Sequence, residues 1–436
     1  MQCGGCASGK MHRAVFLRRC IGLAAVICML LALGGCTMAG VGELYALPQL
    51  SGDSVQLESL IAERINSGSE YAAPTEGSRR QSVQMQDMTG DGIDEAVAFL
   101  ADETHTPTVC IYTRDAQQNY YLYVVIRGEG SSVCAVEYAD LTGNGVQELI
   151  ITWAISSELR LLTVYTLADG APQQLLSADS YAFCAADLTG DGKEDLINLR
   201  SSGGFVVDCC SFAADGGSIS CSAQLSDNIQ SVERMRTAPL ADGSQALYVE
   251  SVCDDGNLVT DVLAAPGGAI ANLTMTASGC SDTVRSSPAY AVDINGDGMF
   301  EIPYESGELL VWYDIDSAGQ RSQVMTTYHN YDDGWYMVLD GFDVSALAIE
   351  TGSVVAGSDY VIFYEQGADG SRTELLAVYT LTGENRLDRA ALEGRFVLAQ
   401  TDTVIYAAVL KTDNRTQQDI INSFRLIYTE WQTGQL

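Results

Sequence analysis

The chain has 436 residues, 47% of them hydrophobic, with 57 acidic against 23 basic side chains and a formal charge of −34. That length allows two or three domains with ample core. A surface so acidic repels nucleic acid and anionic lipid, which excludes nucleic-acid binding, and it attracts divalent cations.

Residues 1–20 hold Lys10, Arg13, Arg18 and Arg19 and no acid, and residues 21–33 are an unbroken apolar run. The run is too short to span a hydrocarbon core of about 30 Å, so it reads as the apolar centre of a signal peptide. It ends Leu33-Gly34-Gly35-Cys36, which resembles a bacterial lipoprotein cleavage box. The resemblance implies that residues 1–36 are a lipoprotein signal ending at a lipidated Cys36. The chain is then exported and lipid-anchored to the outer face of the bacterial cytoplasmic membrane. An ordinary signal peptide or an uncleaved anchor would leave the rest on the same side.

Residues 37–79 read as a tether containing one short helix. Asp53 or Ser54 caps it, Leu57, Leu60, Ile61 and Ile65 make its apolar stripe, and Gly68 stops it. Residues 67–79 read as linker.

One nine-residue stretch is then written four times, at residues 87–95, 140–148, 187–195 and 293–301. The first has Asp87, Thr89, Asp91 and Glu95 at positions 1, 3, 5 and 9, with the Ile93 carbonyl at position 7. The second has Asp140, Thr142, Asn144 and Glu148, with Val146 at position 7. The third has Asp187, Thr189, Asp191 and Asp195, with Lys193, and the fourth Asp293, Asn295, Asp297 and Glu301, with Met299. Oxygen donors at alternate positions suit calcium, which takes six to eight oxygen ligands. Glycine at position 6 permits the sharp turn that returns position 9 to the ion. A helix-flanked EF-hand needs an acid at position 12. Those positions hold Ala98, Ile151, Asn198 and Tyr304, and the flanks are short β-branched runs that read as strands.

The copies are spaced so that a silent one is due near residue 240, where Asp242-Gly243 supplies a turn without the other ligands. A period near 50 residues with strands between turns marks a propeller. In the second repeat the four strands are expected at 132–139, 148–154, 159–167 and 173–177. The Asp-Leu-Thr-Gly-Asp-Gly pattern of the third copy resembles the FG-GAP or VCBS repeat of integrin-α-like propellers. That resemblance spans 80–325 and implies a calcium loop between the first two strands of each blade. The expected fold is therefore mainly β, a β-propeller of about five four-stranded blades. Affinity follows ligand charge, so the fourth loop is expected to bind tightest and the second weakest.

After residue 325 the period stops. A hairpin is expected around Asp333-Gly334 and strands at 360–365, 375–381, 396–400 and 404–410. A terminal helix capped by Thr416 and Asp419 would carry Ile420, Ile421, Phe424, Ile427, Tyr428 and Trp431 on one face. Residues 326–436 read as a small α+β domain that loosely resembles a PsbP-type sandwich. The alternative is two more blades and a seven-bladed disc.

Beyond the signal, Cys110, Cys134 and Cys184 read as small buried hydrophobes, and Cys209 and Cys210 as pointing to opposite faces of a strand. Two histidines remain, His105 and His329, and no HExxH, GxSxG or GxxxxGK[ST]. Tyr120, Tyr121, Trp153, Trp312 and Trp335 could stack on sugar. The expected function is calcium-stabilised binding of a protein or glycan at the cell envelope, with no catalytic residues. The alternatives are a carbohydrate lyase or hydrolase and a purely structural envelope protein.

Overall fold

The computed structural model describes residues 52–167 and 171–427. The chain divides into two compact units, Met1–Ser59 and Leu60–Leu436. The signal peptide and Cys36 lie outside the described residues, as do Tyr428 and Trp431. Of the first unit the described part is the start of α1 (Gly52–Asn66), the expected helix, which begins before Asp53 and Ser54 and so is not capped by either. No helix among the described residues is long and apolar enough to cross a membrane.

The second unit is mainly β. Its described residues form six antiparallel sheets; the first four are built from strands consecutive in sequence, while the fifth takes its last strand from beyond the sixth. The second sheet runs Val133–Ala139, Glu148–Ala154, Arg160–Thr166 and Gln173–Ser180, matching the expected strands within a few residues. The third takes Ala182–Ala186, Asp195–Arg200, Val206–Phe212 and Ser218–Gln224. The fourth takes Ile229–Pro239, Gln245–Cys253, Leu258–Ala264 and Ala271–Asn272, with the Asp242 turn between its first two strands, where the silent copy was due. In the first sheet Glu70–Tyr71 and Val83–Gln86 share one edge of Glu95–Ala101, followed by Pro107–Arg114 and Tyr120–Arg127. The stretch 67–79 therefore does more than connect. Glu76 is 2.9 Å from Arg160, and Arg79 is 2.8 Å from Glu137 of the second sheet.

Alternation along each second strand explains how the sheets stack. Successive side chains of a strand leave on opposite faces. In Glu148–Ala154, Leu149, Ile151 and Trp153 join a core with Val97, Phe99, Val109 and Ile111 of the first sheet. Ile150 of the same strand instead joins Leu196, Cys210 and Phe212 of the third. Leu247 and Val249 face the third sheet, while Ala246 and Tyr248 face Ile302 and Ile315 of the fifth. Cys209 and Cys210 likewise divide between two cores, as adjacent strand residues must. No single sheet of this width buries both faces, so each is stable only between neighbours. This serial stacking of four-stranded meanders is what a β-propeller requires.

The fifth sheet comprises Ile302–Ser306, Leu309–Ile315, Arg321–Asn330, Trp335–Val338 and Phe424–Leu426. The expected boundary at residue 325 falls inside its third strand, and the Asp333-Gly334 hairpin belongs to this sheet. The sixth comprises Leu347–Val355, Ser358–Gln366, Arg372–Thr382, Val404–Leu410 and Phe396–Gln400, in that spatial order. An excursion through α2 (Arg386–Ala390) carries the chain to the outer edge before it turns back. Phe363, Leu376 and Val378 of this sheet share a core with Trp335, Met337 and Phe424 of the fifth. A sheet out of sequence order plus two short helices makes a small C-terminal domain. Among the described residues 326–427 contain this one complete sheet, where two extra blades would need two.

The terminal helix is shorter than its apolar stripe suggested. α3 spans Gln417–Ser423, and Phe424 begins a strand that pairs with Met337. Tertiary pairing overrides helical periodicity there. The expected cap is present: Thr416 Oγ1 accepts from the Asp419 amide, and the Asp419 carboxylate accepts from the Thr416 amide at 2.8 Å. Thr416→Ala should cost about 1 kcal/mol in a urea titration, because the cap holds the turn that seats buried Ile420. An unchanged midpoint would show the cap to be idle.

Candidate metal centre

The first three nine-residue stretches lie between the first two strands of their repeat, while the fourth leads into Ile302–Ser306, the first strand of the fifth sheet, preceded only by the isolated bridge Val292–Glu301; each is folded by its own side chains. The position-1 aspartate is the hub. Asp293 Oδ1 accepts the amides of Gly296 and Asp297 at 2.6 and 2.9 Å, and Oδ2 accepts that of Gly298 at 2.9 Å. Asp87, Asp140 and Asp187 make the equivalent bonds to positions 4–6 of their loops. Position 5 accepts the position-7 amide in each, as Asp297 does from Met299 at 2.9 Å. Position 9 accepts the position-2 amide, as Glu301 does from Ile294 at 2.9 Å. Gly296 and Gly298 hold φ of +83° and +91°, so position 4 needs glycine as much as position 6. The first loop touches the second and the second the third: a Cβ on Gly90 would meet Val146, and one on Gly143 would meet Lys193.

The position-9 carboxylates are the buried ones: Glu95, Glu148, Asp195 and Glu301 have almost no exposed surface. Strand register places one residue of the next strand directly opposite each. In the first three repeats that residue is Thr113, Thr166 or Ser211, and its hydroxyl donates to the carboxylate. In the fourth loop's repeat the same register position is Asp314. The silent repeat aligns as residues 238–246, keeping Asp242 and Gly243 at positions 5 and 6. Position 1 is Ala238 and position 9 Ala246, and Ala264 stands opposite, all buried. An alanine pair there replaces the acid–hydroxyl pair, and Asp242 binds Ser244 and Ser317 instead.

The fourth loop alone among the described residues brings three carboxylates together: oxygens of Asp293, Asp297 and Glu301 lie within 4.8 Å of one another. Asn295 sits over Asp297, its Nδ2 donating at 2.8 Å. Glu301 Oε1 is buried with no donor group beside it; its neighbour is the Asp314 carboxyl, with which it can bond only by sharing a proton. An all-oxygen donor set in which a proton is what holds two buried carboxyl oxygens together fits a hard divalent cation. In the third loop Lys193 Nζ stands 3.3 Å from Asp191 and opposes a second cation. Burial, with the charges of Asp297 and Asp314 beside it, raises the Glu301 carboxyl to about 7. Because the folded value exceeds the ordinary one near 4.5, its contribution to metal-free stability is fully present below pH 4.5 and lost as pH climbs through 7. In EDTA, the stability of wild type relative to Glu301→Gln should therefore fall across that window in pH-dependent urea titrations. A flat difference would refute the burial argument.

Trp153, Trp312 and Trp335 are fully buried and so are withdrawn as sugar-stacking residues, whereas Tyr121 is 44% exposed. His105 is an exposed turn residue 3.1 Å from Glu70, and His329 is half-buried, stacked on Tyr336. Sequence reasoning missed the charged centre of the silent repeat. There buried Arg285 approaches buried Glu250 at 3.8 Å, and Arg285 also donates to the carbonyls of Ala289 and Thr283. The signal was an isolated Glu in an apolar strand.

No family model and no curated protein matches this chain. Solved structures do resemble it. Rhamnogalacturonan lyase YesW is 16% identical with a TM-score of 0.33, the match covering 68% of this chain and 61% of the lyase. The BBS1N structure, in complex with ARL6DN, is 10% identical with a TM-score of 0.28, covering 79% of this chain and 96% of that one. The Pseudomonas aeruginosa PilY1 C-terminal domain is 10% identical with a TM-score of 0.27, covering 72% and 88%. The fold assignment stands on the sheets themselves.

Proposed function

We propose that the protein is an exported, calcium-stabilised β-propeller that binds a protein or glycan at the cell envelope, tethered through lipid on Cys36. The observation that carries the calcium part is the fourth loop, with three converging carboxylates and a buried Glu301 oxygen beside which no donor group stands. The apolar segment and Leu33-Gly34-Gly35-Cys36 support export and anchoring. The first three loops, which touch in succession, gather acidic side chains whose charge calcium would lower.

Calcium titrated into the purified chain by calorimetry tests the first part, with a dissociation constant of roughly 10⁻⁴–10⁻³ M expected for an extracellular site. No heat in millimolar calcium would sink it. For anchoring, Cys36→Ala should move the protein from the membrane fraction to the soluble exported fraction. Pull-downs and glycan arrays with and without chelator test for the ligand. A partner retained equally in both would detach binding from calcium.

A further inference from the structure

We propose that Asp314 is a fifth side chain of the fourth loop's metal site, a positioning residue beside Glu301 that makes this loop the strong divalent-cation site of the four. The inference rests on the calcium reading above and adds a residue from outside the nine-residue stretch.

The reasoning is by register. Ile302 pairs with Tyr313, so the residue opposite Glu301 is Asp314. In the other three acid-bearing repeats the same construction gives a hydroxyl residue, and that hydroxyl satisfies the position-9 carboxylate. A satisfied carboxylate has less to gain from a cation. Asp314 ionised has no proton to donate, so the exchange removes a donor and adds a charge. The outcome is visible in the atoms. Glu301 Oε1 and Asp314 Oδ1 are both buried with no donor group of another residue beside them, and the bond open to the two is the one they make to each other when one carboxyl is protonated. Two facing carboxylates are repulsive unless a cation or a proton lies between them.

Asp314 is not among the three residues whose oxygens converge within 4.8 Å. It borders that group through Glu301. Its work is to add negative charge and to deny Glu301 the hydroxyl that would otherwise hold its free oxygen. Partners of ligating side chains typically change metal affinity by 10–100-fold when removed.

Asp314→Thr restores the hydroxyl found in the other loops, and Asp314→Asn removes the charge with little change of shape. Calcium calorimetry, repeated with terbium luminescence, should show both variants binding about 10–100-fold more weakly at the tightest site. Their melting temperatures in EDTA should equal or exceed that of wild type, since a buried repulsion has been removed. Thr113→Asp in the first loop should conversely strengthen that loop. Affinity within twofold of wild type in both variants, alongside clear loss in Glu301→Gln, overturns the role of Asp314. So does a metal-free melting temperature that drops in both, which would make the residue purely structural. Wild-type protein that binds neither ion instead overturns the calcium reading itself.

Discussion

In about 10 mM calcium the protein should melt a few degrees higher than in EDTA, and Glu301→Gln should cancel most of that rise. With a dissociation constant of roughly 10⁻⁴–10⁻³ M, the ion is at about 10–100 times that constant, which stabilises the folded state by ~1.4–2.7 kcal/mol. Each kcal/mol moves the transition of a domain of this size by roughly 2–4 °C or less. Glutamine at 301 keeps an oxygen for the Ile294 amide but removes the buried charge that faces Asp293 and Asp297. Asp140→Ala in the second loop should matter far less, since only Asp140 and Glu148 carry charge there. A larger loss of calcium stabilisation from Asp140→Ala than from Asp297→Ala would reverse the order of the sites.

Arg285→Ala should be among the most damaging single substitutions, costing about 3–5 kcal/mol. Arg285 and Glu250 are both essentially without exposed surface. Removing the guanidinium leaves a fully buried carboxylate without its buried counter-charge; Arg236 at 3.8 Å, the charge of Arg234, and bonds from the Ala291 amide and the Thr260 hydroxyl remain. The expense lies in the stranded charge more than in the lost attraction. Replacing both partners, Arg285→Met with Glu250→Leu, should therefore recover most of the loss. Guanidinium titrations of the two single variants and the double would decide it. If the double is no better than Arg285→Ala, the guanidinium acts through its bonds to Ala289 and Thr283.

The repeat was legible because its chemistry is local. Asp-x-Thr-Gly-Asp-Gly fixes a turn through bonds within nine residues, and apolar β-branched runs on either side read as strands without tertiary knowledge. The gap near residue 240 was legible from spacing alone, and Asp242-Gly243 does sit between the first two strands of the fourth sheet. What was not legible depends on partners distant in sequence. Phe424 reads as helix by period and becomes strand because Met337 offers an open edge. Trp335 reads as a surface aromatic in a Gly-Trp-Tyr hairpin and is buried because the sixth sheet covers it. Asp314 carries no motif at all; its meaning lies in register with Glu301. The sixth sheet's inverted last hairpin had no local signature either, since 396–400 and 404–410 are plain strand segments in either order.

The placement of Phe424–Leu426 has a consequence for biosynthesis. A chain emerges amino end first and its domains generally fold as they appear. Each of the first four meanders pairs strands close in sequence and waits only for the next sheet to cover it. Trp335–Val338 must instead keep one rim open while the whole sixth sheet is synthesised, because its last neighbour, Phe424–Leu426, follows that sheet. Until that strand arrives, Trp335 and Met337 lie on a strand with one unpaired edge, which is open to pairing with another chain.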